Sequence, residues 1–162
     1  MSTLAIDVLV DTEGWGEEDP LRSLAGRALG ALGAELPGAS GQAALALVDD
    51  ATIRALNGRY RAKDKPTNVL SFPASGPARA AGFLGDIAIA RETLLAEAAR
   101  DGLSFEDHLA HLIIHGYLHL LGHDHESDDD ARHMEAIEIR ALARLGIADP
   151  YAGAVEAARH GQ

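Results

Sequence analysis

The sequence predicts an α+β domain, with one small mixed sheet of about four strands and helices packed on it. Two observations carry this reading. Segments of strand-like and helical periodicity run in the order strand, helix, strand, helix, strand, strand, and then helices only. The chain has 162 residues, 47% of them apolar and 24% charged, which is the length and composition of one globular unit. Residues 1–162 therefore read as a single domain that buries roughly 70% of the surface its unfolded chain exposes.

Each element has its own signal. Leu4–Val10 alternates loosely and reads as a strand, and the acidic, glycine-containing stretch Asp11–Pro20 reads as a loop. From Pro20 to Leu36, residues Leu21, Leu24, Ala25, Ala28, Leu29 and Leu32 recur at helical spacing, until Pro37–Gly41 breaks the pattern. Ala43–Val48 is a short apolar run, a buried strand. Asp49 or Asp50 caps the next helix, on which Ile53 and Leu56 stand three apart. Thr67–Phe72 is a strand ended by Pro73. Ala74–Gly82, rich in Ala, Gly and Pro, reads as a mobile loop, and Leu84–Ala90 returns as the second strand of a hairpin.

Three helices follow: Arg91–Arg100, Ser104–Leu121 and Ser127–Leu145. Ser104 is an N-cap with Asp107 three residues on. The third helix has Asp128, Asp129 and Asp130 in its first turn and Arg140 and Arg144 near its end, which complements the helix dipole, and Gly146 can cap it. Tyr151–Gln162 is a small-residue tail, partly helical or frayed.

Composition excludes several functional classes. The absence of cysteine removes disulfides, thiolate metal sites, iron–sulfur clusters and cysteine nucleophiles together, and fits the reducing cytoplasm. No apolar run approaches the ~20 residues of a membrane span. The N-terminal Met1–Asp7 has no basic region, which argues against a secretory signal. The net charge of -11 argues against a generic nucleic-acid coat, yet leaves room for an enzyme with a local basic patch.

The histidines are the most informative feature. Seven of the eight lie between His108 and His133. His115 and His119 are i and i+4, one turn apart on the same helix face, so both rings can reach a common point. Gly122 can end the helix and turn the chain, which brings His125 back on the far side. Three imidazoles converging at the end of a central helix leave a fourth tetrahedral position open, the pattern of a catalytic zinc site. His108 and His111 precede the cluster and read as residues that support it or pack in the core. His123 flanks the turn, exposed or in support, and His133 and His160 read as structural. Asp124 can cap a helix or orient an imidazole, and less readily accept a proton.

The spacing also matches the metzincin peptidases, with one difference. Those enzymes carry Glu, their general base, directly after the first His, and this chain has Gly116 there.

A second cluster is basic. Arg54, Arg59, Arg61, Lys63 and Lys65 fall within twelve residues, and the two lysines are the only ones in the chain. Such a run is either a solvated loop or a phosphate-contacting patch, for which the guanidinium fork is suited.

Three blocks in this order resemble the YbeY family, the bacterial rRNA-maturation endoribonucleases. They are Leu56-Asn57 with Tyr60-Arg61-x-Lys63-Asp64-x-Pro66-Thr67-Asn68-Val69-Leu70-Ser71-Phe72-Pro73, then Leu84-Gly85-Asp86-Ile87, then His115-Gly116-Tyr117-Leu118-His119-Leu120-Leu121-Gly122-His123-Asp124-His125. They cover the middle of the chain. Asn68 stands where Asp is frequent and His123 where Tyr is common.

The resemblance implies one α+β domain with a single Zn2+ held by His115, His119 and His125. It implies cleavage of single-stranded RNA in 16S rRNA 3′-end maturation and ribosome quality control. It assigns the functional arginine to Arg61, with Arg59, Lys63 and Lys65 as further RNA contacts. The small ribosomal subunit, through one of its proteins or an assembly GTPase, is the implied partner.

A three-histidine zinc lowers the pKa of its water to about 7 or acts as a Lewis acid on a phosphoryl oxygen, and Arg61 is the residue expected to stabilise the charge developing on the equatorial oxygens. No general base is evident. Water and the substrate's 2′-OH both stay open as nucleophile, the latter leaving a 2′,3′-cyclic phosphate. Two rival readings are a non-catalytic ribosome assembly factor with a structural zinc and a zinc peptidase, which Gly116 disfavours.

Overall fold

A computed structural model describes residues 3–61, 67–124 and 126–152, and for Arg61 the backbone alone. Its elements run β1 (Thr3–Val10), α1 (Glu18–Glu35), β2 (Ser40–Val48), α2 (Asp50–Arg61), β3 (Val69–Pro73), α3 (Gly76–Ala80), β4 (Phe83–Ala90), α4 (Arg91–Asp101), α5 (Phe105–Leu120) and α6 (Asp128–Arg144). The α+β reading and the four-stranded mixed sheet hold. Within Ala74–Gly82, expected to be a mobile loop, the structure forms the short helix α3. Pro77 stands in its first turn, where a missing N–H costs nothing.

The strand order is β1-β2-β4-β3. β1 and β2 are parallel from Thr3↔Ser40 to Val10↔Leu47, and β2 and β4 are parallel with a register shift between Gln42 and Ala43. β3 and β4 form the expected antiparallel hairpin, Val69↔Ile89 through Pro73↔Gly85. Gly85 is required here. Its φ is 142°, and a Cβ would overlap the Phe72 carbonyl oxygen on the paired strand.

Alternation along β2 decides which layer lies on which face. Ala43, Leu45 and Leu47 join the main core with α1, α5 and α6, whereas Val48 joins a smaller cluster with Ile53 of α2, Leu70, Ala88 and Ala90. β4 is buried on nearly every residue, because helices cover both of its faces. Asp49, not Asp50, caps α2, its Oδ1 accepting from Thr52 N at 2.8 Å. Asp50 Oδ1 accepts instead from the backbone and hydroxyl of Thr93 at 3.0 and 2.8 Å, tying α2 to α4.

α5 is the central helix, started by Ser104 Oγ accepting from Asp107 N at 3.0 Å. Leu109, Leu112, Ile113, Ile114, Tyr117 and Leu118 are buried along it. Tyr117 fixes its depth. Its hydroxyl donates between the carbonyl oxygens of Ala5 (3.1 Å) and Gly41 (2.8 Å), and burial pushes its pKa up to about 12. Tyr117→Phe leaves those carbonyls without that donor. It is expected to lower stability by about 1–2 kcal/mol, read as a reduced urea midpoint with unchanged slope.

Candidate metal centre

The histidine stripe of α5 follows from its burial pattern. With its apolar residues turned to the sheet and to α6, the four-residue spacing leaves His111, His115 and His119 half-buried on one face. The rings of His115 and His119 meet edge to face with centroids 4.7 Å apart, and their Nε2 atoms lie 3.2 Å apart. Two ligands on one tetrahedral ion with bonds of ~2.0–2.1 Å stand about 3.3–3.4 Å apart. This donor pair therefore fits a shared ion without rearrangement.

Glu138 of α6 lies behind the rings of His111 and His115 and was not among the expected site residues. Its side chain is 1% exposed. Oε2 accepts from His111 Nε2 at 2.8 Å and pairs with His115 Nδ1 at 3.1 Å, and Oε1 accepts from the Tyr151 hydroxyl at 2.8 Å. Burial alone would raise the Glu138 pKa. The hydrogen bonds from His111 and His115 outweigh it and bring the group to about 2, so the carboxylate is ionised. Burial and the neighbouring carboxylate raise the Tyr151 phenol, which stays protonated and can donate. His111, His115 and Glu138 each offer a ligand atom, all within 4.8 Å of one another, so this group too could hold a metal ion.

A signal for Glu138 was present in the sequence. Met134, Ile137, Ala141 and Leu142 form the buried stripe of α6, and Glu138 falls inside it. A carboxylate on the apolar face of an amphipathic helix requires a buried partner. His111, expected to support the cluster or pack in the core, is that partner.

The other expected residues fall as follows. His108 Nε2 bonds Glu97 Oε1 at 2.8 Å, and Asn68 Nδ2 donates to the same carboxylate at 3.1 and 3.3 Å. Burial raises the Glu97 pKa, and these two bonds more than reverse that, leaving it lowered. The network ties the start of β3 to α4 and α5. His123 packs against His133, with ring centroids 5.5 Å apart. Asp124 Oδ1 accepts from Glu126 N at 3.3 Å and so braces the turn after α5. Arg59 and Tyr60 are exposed near the end of α2. The Tyr60 ring meets Phe72 edge-on at 5.4 Å, and Arg59 Cζ lies 5.9 Å from its centroid. Arg61 ends the same helix. His125, Lys63 and Lys65 lie outside the described residues.

Comparison with known proteins adds a family. A family model described as Endoribonuclease YbeY matches residues 17–146. The chain is 51% identical over 152 residues to "Endoribonuclease YbeY" of Chelativorans sp., covering 91% of this chain and 93% of that protein. It is 46% identical over 164 residues to the protein of the same name from Rhizobium etli, covering 94% and 96%. The solution structure of TM1509 from Thermotoga maritima matches with a TM-score of 0.55 at 24% identity, over 93% of this chain and 98% of that one, which supports the fold.

Proposed function

The chain belongs to the YbeY endoribonuclease family, and from that premise we propose that it hydrolyses phosphodiesters of single-stranded RNA at a zinc ion held by His115, His119 and His125. The observation that carries the reading is the pair of Nε2 atoms facing each other at 3.2 Å, with an ionised carboxylate behind one of the rings. We assign the third place to His125 from its spacing in the sequence, three residues after Gly122, whose φ is 99°. When bound, such an ion supplies Lewis acidity and acidifies water.

The remaining work falls to the chain. Arg61 presents its guanidinium to the phosphate, and Arg59, Lys63 and Lys65 hold the RNA backbone against the repulsion of a protein with net charge -11. That repulsion makes binding to free RNA weak and salt-sensitive, so a partner brings the enzyme to its substrate. We assign the substrate to the 16S rRNA 3′ end and the role to maturation and quality control in the cytoplasm. The partner is the small ribosomal subunit, through one of its proteins or an assembly GTPase. Among the described residues no helix is long and apolar enough to cross a membrane.

The test is cleavage of a single-stranded rRNA 3′-end fragment with and without chelator, beside Arg61→Ala protein. Chelation is expected to stop cleavage, and Arg61→Ala to slow it by about 10²–10³. Cleavage unaffected by either treatment would sink the proposal.

A further inference from the structure

The buried carboxylate behind the histidines has a definable task. We infer that Glu138, clamped by His111 and Tyr151, is a positioning residue that fixes the ring orientation and tautomer of His115, leaving the Nε2 lone pair for the metal. The inference rests on the reading that His115 and His119 share an ion.

Three observations lead to it. First, both oxygens of Glu138 are engaged, Oε1 with Tyr151 and Oε2 with His111 and His115. Two oxygens that face a phenol and two imidazole nitrogens at 2.8–3.1 Å are placed to accept from all three. The proton of His115 then sits on Nδ1, and its Nε2, 3.2 Å from His119 Nε2, carries the lone pair.

Second, the shortest of these nitrogen contacts is the one between His111 and Glu138. His111 Nε2 and Glu138 Oε2 are 2.8 Å apart, a hydrogen-bond length and short of the ~3.3 Å expected for two ligands of one tetrahedral ion. The separation across the His115–His119 pair does match that value. The group His111, His115 and Glu138 is thus a hydrogen-bonded support, and the metal belongs on the opposite edge of the His115 ring.

Third, exposure grades in the same direction. The side chains are 1% exposed at Glu138, 13% at His111 and 21% at His115, so the carboxylate is the deepest of the three. Tyr151 connects this network to the chain beyond α6. Its backbone N–H bonds Asp149 Oδ1 at 2.7 Å, a turn that aims the phenol at Glu138. The segment after α6 therefore clamps the rear of the metal centre.

The test uses the full-length protein, with Co2+ as a visible probe of the metal and NMR of the imidazole nitrogens as a probe independent of it. Glu138→Gln is nearly isosteric, and Tyr151→Phe removes only one hydroxyl. Metal-free wild type is expected to show His115 protonated at Nδ1, and Glu138→Gln to show a mixture of tautomers. Glu138→Gln should bind Co2+ about 10–100-fold more weakly, and Tyr151→Phe several-fold more weakly, with band positions and a stoichiometry of one ion unchanged.

Band positions altered by Glu138→Gln would make Glu138 a ligand and overturn the inference. Affinity equal to wild type in both variants, or His115 protonated at Nε2 in the metal-free protein, would also overturn it. If wild type binds no Co2+, the metal reading itself fails, whatever the tautomer of His115.

Discussion

Gly116→Glu is expected to yield no stably folded protein and no peptidase activity. This position is where the metzincin pattern places its general base, and the spacing of the histidines alone would invite the substitution. The structure gives the reason it fails. Gly116 has helical backbone, so glycine is not there for its conformational freedom. It is buried, and a Cβ would come within 2.9 Å of Ile87 Cγ2 and 3.3 Å of Ser71 Oγ. Ile87 is 1% exposed, β-branched and part of the main core. The Gly116 carbonyl also accepts from Ser71 Oγ at 3.0 Å, so α5 is locked against β3 at this point.

Gly116→Ala tests the close approach alone, and overpacking of this kind costs about 1–3 kcal/mol. Glutamate adds the burial of a carboxylate facing Ile87 and Ser71, a larger penalty against a domain stability of typically ~5–15 kcal/mol. Urea denaturation of both variants reads the effect. A Gly116→Glu protein with the wild-type midpoint that also cleaves casein would revive the peptidase reading. Gly116 thus weighs against a peptidase base in this chain, because the residue after His115 faces Ile87 and Ser71 of the sheet.

What was legible in the sequence follows the range of each signal. Period and caps are local, and they worked. Ser104 caps the helix expected of it, and β1 and α5 lie within a residue of their expected bounds. The register shift between β2 and β4 is non-local, and nothing in the alternation of either strand encodes it. The approach of His115 to His119 was legible because i and i+4 on one helix fix a geometry by themselves. Glu138 was not, because its partners are 27 and 23 residues away in sequence, on another helix. Its only trace is a charge inside an apolar stripe, and that trace gains meaning when set beside His111, which it bonds at 2.8 Å. The short helix α3 was missed for a different reason. Its Ala, Gly and Pro residues bury nothing, so it leaves no amphipathic pattern to read.

His119→Ala is expected to abolish RNA cleavage and metal binding while leaving the fold intact. The side chain is half-buried in the last turn of α5, and the core there is supplied by its neighbours Leu118 and Leu120. Losing the imidazole removes one of two nitrogens already aligned at 3.2 Å. The loss of affinity should exceed the ~10–100-fold attributed to a supporting hydrogen bond, because a ligand itself is gone. The same variant decides between an enzyme and an assembly factor stapled by its metal. If the ion were structural, its binding free energy would be folding free energy, and His119→Ala would melt at the temperature of the chelated wild type, well below the loaded one. The sheet and α5 argue for the opposite result. Leu32, Leu45, Ile87, Ile113 and Leu118 pack a core that needs no ion to close it. Chelated wild type and His119→Ala should both keep native circular dichroism and melt within a few degrees of the loaded protein, with cleavage at background in each. A cooperative loss of structure in either would assign the metal to stability, and the search for catalysis would move from α5 to the ribosome.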